Sequence, residues 1–300
     1  MAYSSGDLIL DDHYNAFATS VNAIWGTGSG DAGYGNGTTV AAVSAGNTIT
    51  AAQWTTLLAR MNSMASHQGT SITSISNPSA GGTISAFTAL STNVGNITTA
   101  RLTPAARQSV SNTNRDSTAA FTGTLTFTHK WAWGSANEAR YFFNAGGRLS
   151  ISGTQSGQTS DTKADNWESL LTAAGTYLIT AQGSGKSGGS GSAGTNNTDY
   201  GYYDLTTTYV TVFKQLEDTS PYDANFVQWQ LKSSDSGASV ETSCTWVDSA
   251  ADTSFNKSIY TAQDSVDGTH RMIFGFEKHN TTHVADNGGD ITLSGTVGHS

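Results

Sequence analysis

Two segments after residue 275 contain side chains of the types that bind metal ions. His279 and His283 are four residues apart, a spacing that aligns two imidazoles on a helix, but their polar flanks favour a loop between strands. A metal site is therefore the alternative to ordinary polar loop residues. Residues 286–290 (DNGGD) offer the oxygen ligands that calcium prefers, yet the pattern lacks the later carboxylate of a calcium loop. A plain turn is the favoured interpretation of this segment.

Residues 185–189 (GKSGG) resemble two catalytic motifs at once. A phosphate-binding loop would need a glycine at position 180, where Thr180 stands, and a helix after the lysine, which the sequence does not predict. The G-x-S-x-G pattern of a hydrolase needs a strand-to-helix turn, and a Gly/Ser tract does not predict one. No arrangement of Asp and Glu stands out as a catalytic pair. None of these patterns therefore predicts a catalytic site, and no cofactor or metal ion is predicted.

Tyrosines beside a glycine-rich tract are the stronger candidates for binding. Residues 183–197 are mostly Gly, Ser and Asn and predict an exposed, mobile loop. Tyr200, Tyr202 and Tyr203 follow this loop, and aromatic rings beside Asn, Gln and Asp are typical of sugar-binding surfaces. These three tyrosines and Lys186 are the predicted surface contacts, with core packing as the alternative for the tyrosines.

The first 70 residues predict two amphipathic helices. Apolar residues recur at spacings of three and four in two stretches, which the glycine-rich residues 26–37 separate. Residues 50–53 (TAAQ) form a capping box that opens the second helix. Because two such helices bury little alone, they are predicted to pack on each other, on a partner chain, or on both. The candidate docking or oligomer residues are Tyr14, Phe17, Val21, Trp25, Trp54, Leu57 and Met61.

Residues 71–120 are poor in charge and predict a Ser/Thr-rich connector with one short helix. Phe87, Leu90, Val94 and Ile97 keep the spacing of a narrow helical stripe. Such a stripe lines the axis of a symmetric bundle of like chains, or packs against the first two helices of its own chain. The sequence leaves both arrangements open.

From residue 121 the apolar period falls to two, which predicts β-strands. Strands are expected in residues 121–127, in a hairpin at 141–151, and at about 176–182, 207–214, 225–232, 240–247, 271–277 and 291–297. Residues 165–175 predict a short helix that ends at a glycine. The predicted fold class is mainly β with an N-terminal α-helical part. It comprises a helical docking domain (1–70), the connector (71–120) and an antiparallel, jelly-roll-like β-sandwich (121–300).

Alternation within two strands indicates which side chains face the core. Trp131 and Trp133 fall on one side of a strand, and core packing is favoured for both over a sugar-binding role. Val227 and Trp229 would face one side of another strand, together with Leu231, while Gln228 and Gln230 face the other.

Composition excludes several classes of partner. The net charge is −9 with only 14 Lys and Arg, and no basic run is present, so nucleic acid and anionic membrane surfaces are poor partners. No stretch approaches the roughly 20 apolar residues of a membrane-spanning helix. The first residues contain no basic and apolar signal region, and the single cysteine, Cys244, permits no internal disulfide. The sequence is therefore not expected to enter a secretion pathway.

Six segments carry a resemblance to a known group. They are residues 24–35 (IWGTGSGDAGYG), 49–54 (ITAAQW), 67–70 (HQGT), 139–148 (ARYFFNAGGR), and 166–171 (NWESLL) with 175–177 (GTY). Together they resemble uncharacterised virion structural proteins of tailed bacteriophages, of the cyanophage and marine-phage type. The resemblance spans most of residues 8–180.

This resemblance implies a non-enzymatic building block that reaches the virion by assembly in the host cytoplasm. The expected function is a tail or fibre appendage that docks on other virion proteins through its N-terminal helices. Its β domain would then contact a host-surface glycan or protein. The alternative is a structural neck, tail or capsid-surface decoration protein without receptor binding, and a polysaccharide depolymerase is the third hypothesis. A homo-oligomer, most simply a trimer, is expected because phage appendages are commonly threefold.

Overall fold

The computed structural model describes residues 11–77, 86–159, 162–190, 194–218, 222–249 and 265–300. Within these ranges the chain contains α-helices and antiparallel β-sheets and is mostly β after residue 100. The helices are α1 (Asp11–Trp25), α2 (Ala51–Gln68), α3 (Phe87–Ala100), α4 (Ala136–Asn144) and α5 (Thr162–Ala174). In the described ranges, none of these helices is both long enough and apolar enough to cross a bilayer.

The strands follow the predicted order closely. They are β1 (Ser111–Ser117), β2 (Thr124–Ala132), β3 (Arg148–Ser156), β4 (Thr176–Ile179), β5 (Ser184–Ser187), β6 (Thr195–Asn196), β7 (Val210–Leu216), β8 (Phe226–Ser234), β9 (Ser239–Val247), β10 (Thr269–Glu277), β11 (Thr292–Ser294) and β12 (Val297–His299). The six strands predicted after residue 175 are therefore confirmed, with the last one divided into β11 and β12.

The chain divides into two compact units rather than the three predicted segments. Unit 1 comprises Met1–Ser109, Arg140–Gly147 and Lys278–Gly289, and unit 2 comprises Val110–Ala139, Arg148–Glu277 and Asp290–Ser300. The predicted boundaries at residues 70 and 120 were thus wrong, because α3 belongs to the helical unit and two later segments return to it.

Unit 1 is built on three mutually packed helices. The α2 capping box forms as predicted, with the Thr50 hydroxyl accepting the Gln53 N–H and the Gln53 side chain accepting the Thr50 N–H. Gly69 ends α2 with a left-handed φ of 66°. The third helix is confirmed, and Leu90 and Ile97 are buried in the same core as α1 and α2. The α3 stripe therefore packs within its own chain, so it no longer supports an oligomer axis.

The predicted docking side chains are also core residues. The structure buries all of them in the unit 1 core: Tyr14, Phe17, Val21, Trp25, Trp54, Leu57 and Met61. Tyr14 and Trp54, for example, meet edge to face with ring centroids 5.6 Å apart. We correct their assignment as docking residues, because side chains that hold the helices of one chain together are inaccessible to another chain.

Arg140 hydrogen-bonds to the glycine-rich segment after α1. Arg140 donates to the backbone carbonyls of Gly30 at 3.1 Å and Ala32 at 3.2 Å. Gly33 has a φ of 102°, and a Cβ there would lie 2.3 Å from the Thr27 carbonyl oxygen, so only glycine fits. The loop carbonyls therefore receive their hydrogen bonds from a side chain of the same unit.

Unit 2 contains two antiparallel sheets. One has the strand order β1-β10-β3-β4-β5. The other, seven-stranded, has the order β11-β2-β9-β8-β7-β6, with β12 also paired to β2. Alternate residues of β2, β8 and β9 are buried, as the period of two predicts, and these include Val227, Trp229 and Leu231. Trp131 and Trp133 are buried too, which confirms their core assignment.

Aromatic side chains from the two sheets contact one another. The His129 ring on β2 stacks on the Phe274 ring of β10 with centroids 4.3 Å apart and planes 2° apart. On β9, the Trp246 indole nitrogen lies 3.2 Å from the sulfur of Met272 on β10. The core of unit 2 therefore includes inward-facing rings of both sheets.

Two local predictions were wrong. Residues 136–144 form α4 rather than the first strand of a hairpin; the Ser135 hydroxyl accepts the Glu138 N–H at 3.2 Å, a cap that favours helix over strand. Residues 183–197 are also not one loop, because they contain β5 and β6. The Tyr177 hydroxyl donates to the Asn197 carbonyl at 2.7 Å and so fixes part of this segment.

The buried histidines predict acid sensitivity. Burial lowers the pKa of His129 to about 3, and no hydrogen bond to either ring nitrogen is found among the described residues. Burial also lowers the pKa of His67 and of His270 to about 4. Between these values and the ordinary pKa of 6.5, the unfolded chain binds more protons than the folded chain. The three histidines therefore do not reduce the free energy of unfolding above pH 6.5, and this free energy falls as the pH drops toward 4.

We expect His129→Phe to weaken this dependence, because a phenyl ring can keep the stack on Phe274 without a protonatable nitrogen. At pH 5 the proton-linked cost of His129 alone amounts to about 2 kcal/mol. Urea unfolding of the wild type and of the His129→Phe variant at pH 7.5 and pH 5 measures this cost. If both proteins lose the same unfolding free energy on acidification, protonation of His129 does not contribute to the acid sensitivity.

Candidate binding surface

The outward face of the seven-stranded sheet carries polar side chains in three rows that cross β2, β9 and β8. We call the nine residues of these rows the polar face. Because alternate residues of β2, β8 and β9 point into the core, their intervening residues point away from it. Three neighbouring rows cross these strands: Thr126, Thr245 and Gln228; Thr128, Ser243 and Gln230; and Lys130, Glu241 and Lys232. The first two rows contain only hydroxyl and amide groups.

The third row is a network of paired charges. The Lys130 ammonium lies 2.8 Å from the Asp235 carboxylate and 3.4 Å from that of Glu241, and Lys232 lies 3.0 Å from Glu241. Its hydrogen bond to Asp235 raises the pKa of Lys130, and the same bond lowers the pKa of Asp235. Burial opposes ionisation of Glu241, but the paired ammonium groups of Lys232 and Lys130 outweigh it and hold its pKa below the ordinary value. The row is therefore charged but internally neutralised.

Two aromatic rings lie at the margins of the polar face, each beneath a lysine. The Lys232 ammonium is 4.7 Å from the ring centroid of Tyr209, and the Lys214 ammonium is 3.6 Å from that of Phe226. Phe226 pairs across the strands with Leu216, which is 40% exposed. The polar rows are thus bordered by small apolar surfaces.

The hairpin turn between β8 and β9 holds Asp235 in position. Asp235 and Ser236 have left-handed φ angles of 51° and 55°, a conformation that Asp tolerates better than most residues. The Ser239 hydroxyl donates to the Asp235 carboxylate at 2.6 Å, and the Tyr202 hydroxyl donates to the Gly237 carbonyl at 2.7 Å. Tyr202 therefore supports the turn from which Asp235 reaches Lys130.

The predicted contact residues are not members of the polar rows, and they differ in burial. Tyr202 is buried, with 7% of its surface exposed, so its assignment as a surface contact is corrected to a support of the β8–β9 turn. Tyr203 packs against Tyr202 with ring centroids 5.0 Å apart and is partly exposed, as is Tyr200. Lys186 lies on β5 opposite Tyr177, and burial lowers its pKa.

The metal-binding hypotheses find no geometric support in unit 1. The His279 ring meets the His67 ring edge to face with centroids 5.2 Å apart, and the His279 Nε2 lies 3.3 Å from the Val284 carbonyl oxygen. The Asp286 carboxylate is paired with the Lys278 ammonium at 2.7 Å, so a cationic side chain already occupies it. Within the described ranges, no three His, Cys, Asp or Glu side chains group as metal ligands do.

The polar face was missed by the sequence analysis, although its signal was visible. Gln228 and Gln230 were predicted to face away from the core, and β2 and β9 show the same alternation of Thr and Ser with buried residues. What the sequence could not indicate is that β2, β9 and β8 are neighbours, since β2 and β9 are more than a hundred residues apart in the chain. Pairing of distant strands brought the three rows together.

Comparisons of this chain with protein-family models, with curated proteins and with solved structures find no significant match. The chemistry of the surface must therefore be inferred from its own groups. Hydroxyls and carboxamides both donate and accept hydrogen bonds, and the adjacent rings offer flat apolar faces. Such a surface suits a ligand that carries many hydroxyl groups.

We predict that Tyr202→Phe lowers the unfolding free energy by about 1 kcal/mol, because the Gly237 carbonyl loses its hydrogen bond. Tyr200→Phe is the matched control, since it removes the same atom from a partly exposed tyrosine nearby. Urea unfolding of the two variants measures the difference. Equal free energies for both variants would show that Tyr202 does not support the turn.

Proposed function

We propose that this chain is a structural component of a tailed-phage particle whose β unit contacts the host surface through the polar face. The observation that carries the surface contact is the polar face itself, with two rows of hydroxyl and amide groups beside an internally neutralised charged row. The virion origin rests on the sequence resemblance in residues 8–180. Together they describe an appendage protein that binds a host-surface glycan and catalyses no reaction.

We further propose a jelly-roll-like architecture for unit 2 and a trimeric assembly. The two sheets form a jelly-roll-like sandwich, supported by contacts such as that of His129 with Phe274 and that of Trp246 with Met272. The chain assembles with other virion proteins, and as a homotrimer. The threefold symmetry common among phage appendages supports the trimer, whereas the helical stripe of α3 does not, because it is buried in its own unit.

Exposed apolar surface distinguishes receptor contact from a purely structural role. A neck, tail or capsid-surface protein that packs on neighbouring subunits would present large apolar patches. Among the described residues, the large hydrophobic side chains that are exposed are Val110, at 45%, and Leu216, at 40%. This small apolar surface favours a polar, solvent-facing β unit.

We predict that an antibody against residues 121–300 labels the distal fibre tips or the baseplate of intact particles. A β unit that contacts the host must be exposed where the particle meets the cell. Electron microscopy of labelled particles makes the measurement, with antibody pre-absorbed on the purified chain as the control. Label confined to the neck, the tail tube or the capsid would contradict host contact and favour the structural alternative.

We also predict that the double variant Gln228→Ala/Gln230→Ala binds host envelope polysaccharide at least about tenfold more weakly, because two hydrogen-bonding groups of about 1 kcal/mol each are lost. The side chains point away from the core, so the fold should persist. The matched control is Ser152→Ala/Thr154→Ala, at alternate positions of β3 in the other sheet. Binding to immobilised polysaccharide is compared for the three full chains. Unchanged binding of the glutamine variant, or equal loss in the control, would exclude the polar face as the site.

A further inference from the structure

Unit 2 contains a buried pair of oppositely charged side chains that is independent of the polar face. The Lys163 ammonium, on the first turn of α5, lies 2.6 Å from the Asp248 carboxylate, just after β9. Their side chains are only 7% and 3% exposed. The pair Lys278–Asp286 in unit 1 has nearly the same separation, 2.7 Å, but its side chains are 16% and 25% exposed. The burial of Lys163 with Asp248 is therefore a property of this location.

Aromatic rings neighbour the pair on both elements. Trp167 lies one helical turn after Lys163, and Trp246 precedes Asp248 by two residues, on the same side of the strand. The two indoles stack with centroids 5.7 Å apart and planes 15° apart. Both tryptophans are almost fully buried, so the local dielectric constant is low.

The backbone on either side of the carboxyl group is fixed. The Asp248 N–H donates to the Gly123 carbonyl at 2.7 Å, and the Ser249 N–H donates to the side-chain oxygen of Asn225 at 2.8 Å. Asn225 is itself buried. These hydrogen bonds hold the Asp248 backbone in place. Its carboxyl carbon lies one bond beyond the oxygen that contacts the Lys163 nitrogen, so the distance from this nitrogen to the carbon is close to the roughly 3–3.5 Å separation of reacting atoms in near-attack geometries.

A low dielectric constant changes the proton balance of such a pair. Two separate charges are expensive to bury, and transfer of one proton from the ammonium to the carboxylate yields a neutral amine and a neutral carboxylic acid. A neutral amine is a nucleophile, and a neutral carboxylic acid is an acceptor for it. Burial thus favours the reactive forms of both groups.

We propose that Lys163 and Asp248 form an intramolecular isopeptide bond. The Lys163 nitrogen attacks the Asp248 carboxyl carbon, a carbon–nitrogen bond forms, and the carbon–oxygen bond to one carboxyl oxygen breaks. That oxygen leaves as water with two protons, one from the carboxylic acid and one from the amine. No oxidant or reductant is required. The bond would join α5 covalently to the end of β9, in a chain whose single cysteine permits no internal disulfide.

Intact-mass measurement of the purified full chain tests the proposal. We expect a mass lower than that of the sequence by one water molecule, and a cross-linked peptide containing Lys163 and Asp248 after tryptic digestion. Lys163→Arg keeps a cation but has no comparable amine nucleophile, so it is expected to retain the full mass of its sequence. Asp248→Asn is expected to lose ammonia in place of water if the attack occurs at this carbon.

A folded wild-type chain with the full mass of its sequence would overturn the proposal and leave an ordinary buried ion pair. Loss of water that maps to another pair, such as Lys278–Asp286, would overturn it equally. Tryptophan fluorescence of the wild type establishes that the measured protein is folded. Since the wild-type mass alone decides between bond and ion pair, the test holds even where a variant fails to fold.

Discussion

Burial of every second residue in β2, β8 and β9 is the constraint on which the rest of unit 2 depends. Large rings such as Trp131, Trp229 and Trp246 must leave water, and the strand period of two then forces their neighbours to the opposite side of the sheet. The polar face is the direct consequence, because the neighbours are Thr, Ser, Gln and paired charges. The same alternation directs Asp248 inward, toward Lys163.

In unit 1, polar side chains form the hydrogen bonds that irregular backbone segments cannot form through regular secondary structure. In the glycine-rich segment after α1, the Gly35 N–H donates to the Gly26 carbonyl, and other carbonyls accept from the side chains of Arg140 and Asn144. Segments far apart in the chain therefore belong to one compact unit. Unit 1 therefore includes residues well beyond the segment 1–70 that was predicted as the helical domain.

Local patterns predicted most elements, whereas long-range pairing decided the candidate sites. The spacing of α1, the capping box of α2 and the alternation of β8 were all readable from neighbouring residues. The α4 helix was missed because its apolar residues were interpreted as a strand, although Ser135 and Glu138 form a capping pattern. The polar face and the Lys163–Asp248 pair could not be predicted, since each depends on segments brought together only by the fold.

We propose that the polar face is the surface that contacts the host. Hydroxyl-radical footprinting of the full chain, free and bound to host envelope polysaccharide, tests it most directly because aromatic and aliphatic side chains report their own exposure. We expect protection of Tyr209, Phe226 and Leu216, at the margins of the polar face, and equal oxidation of Val110 of unit 2 in both states. Protection of Val110 with unchanged oxidation of the three margin residues would contradict it.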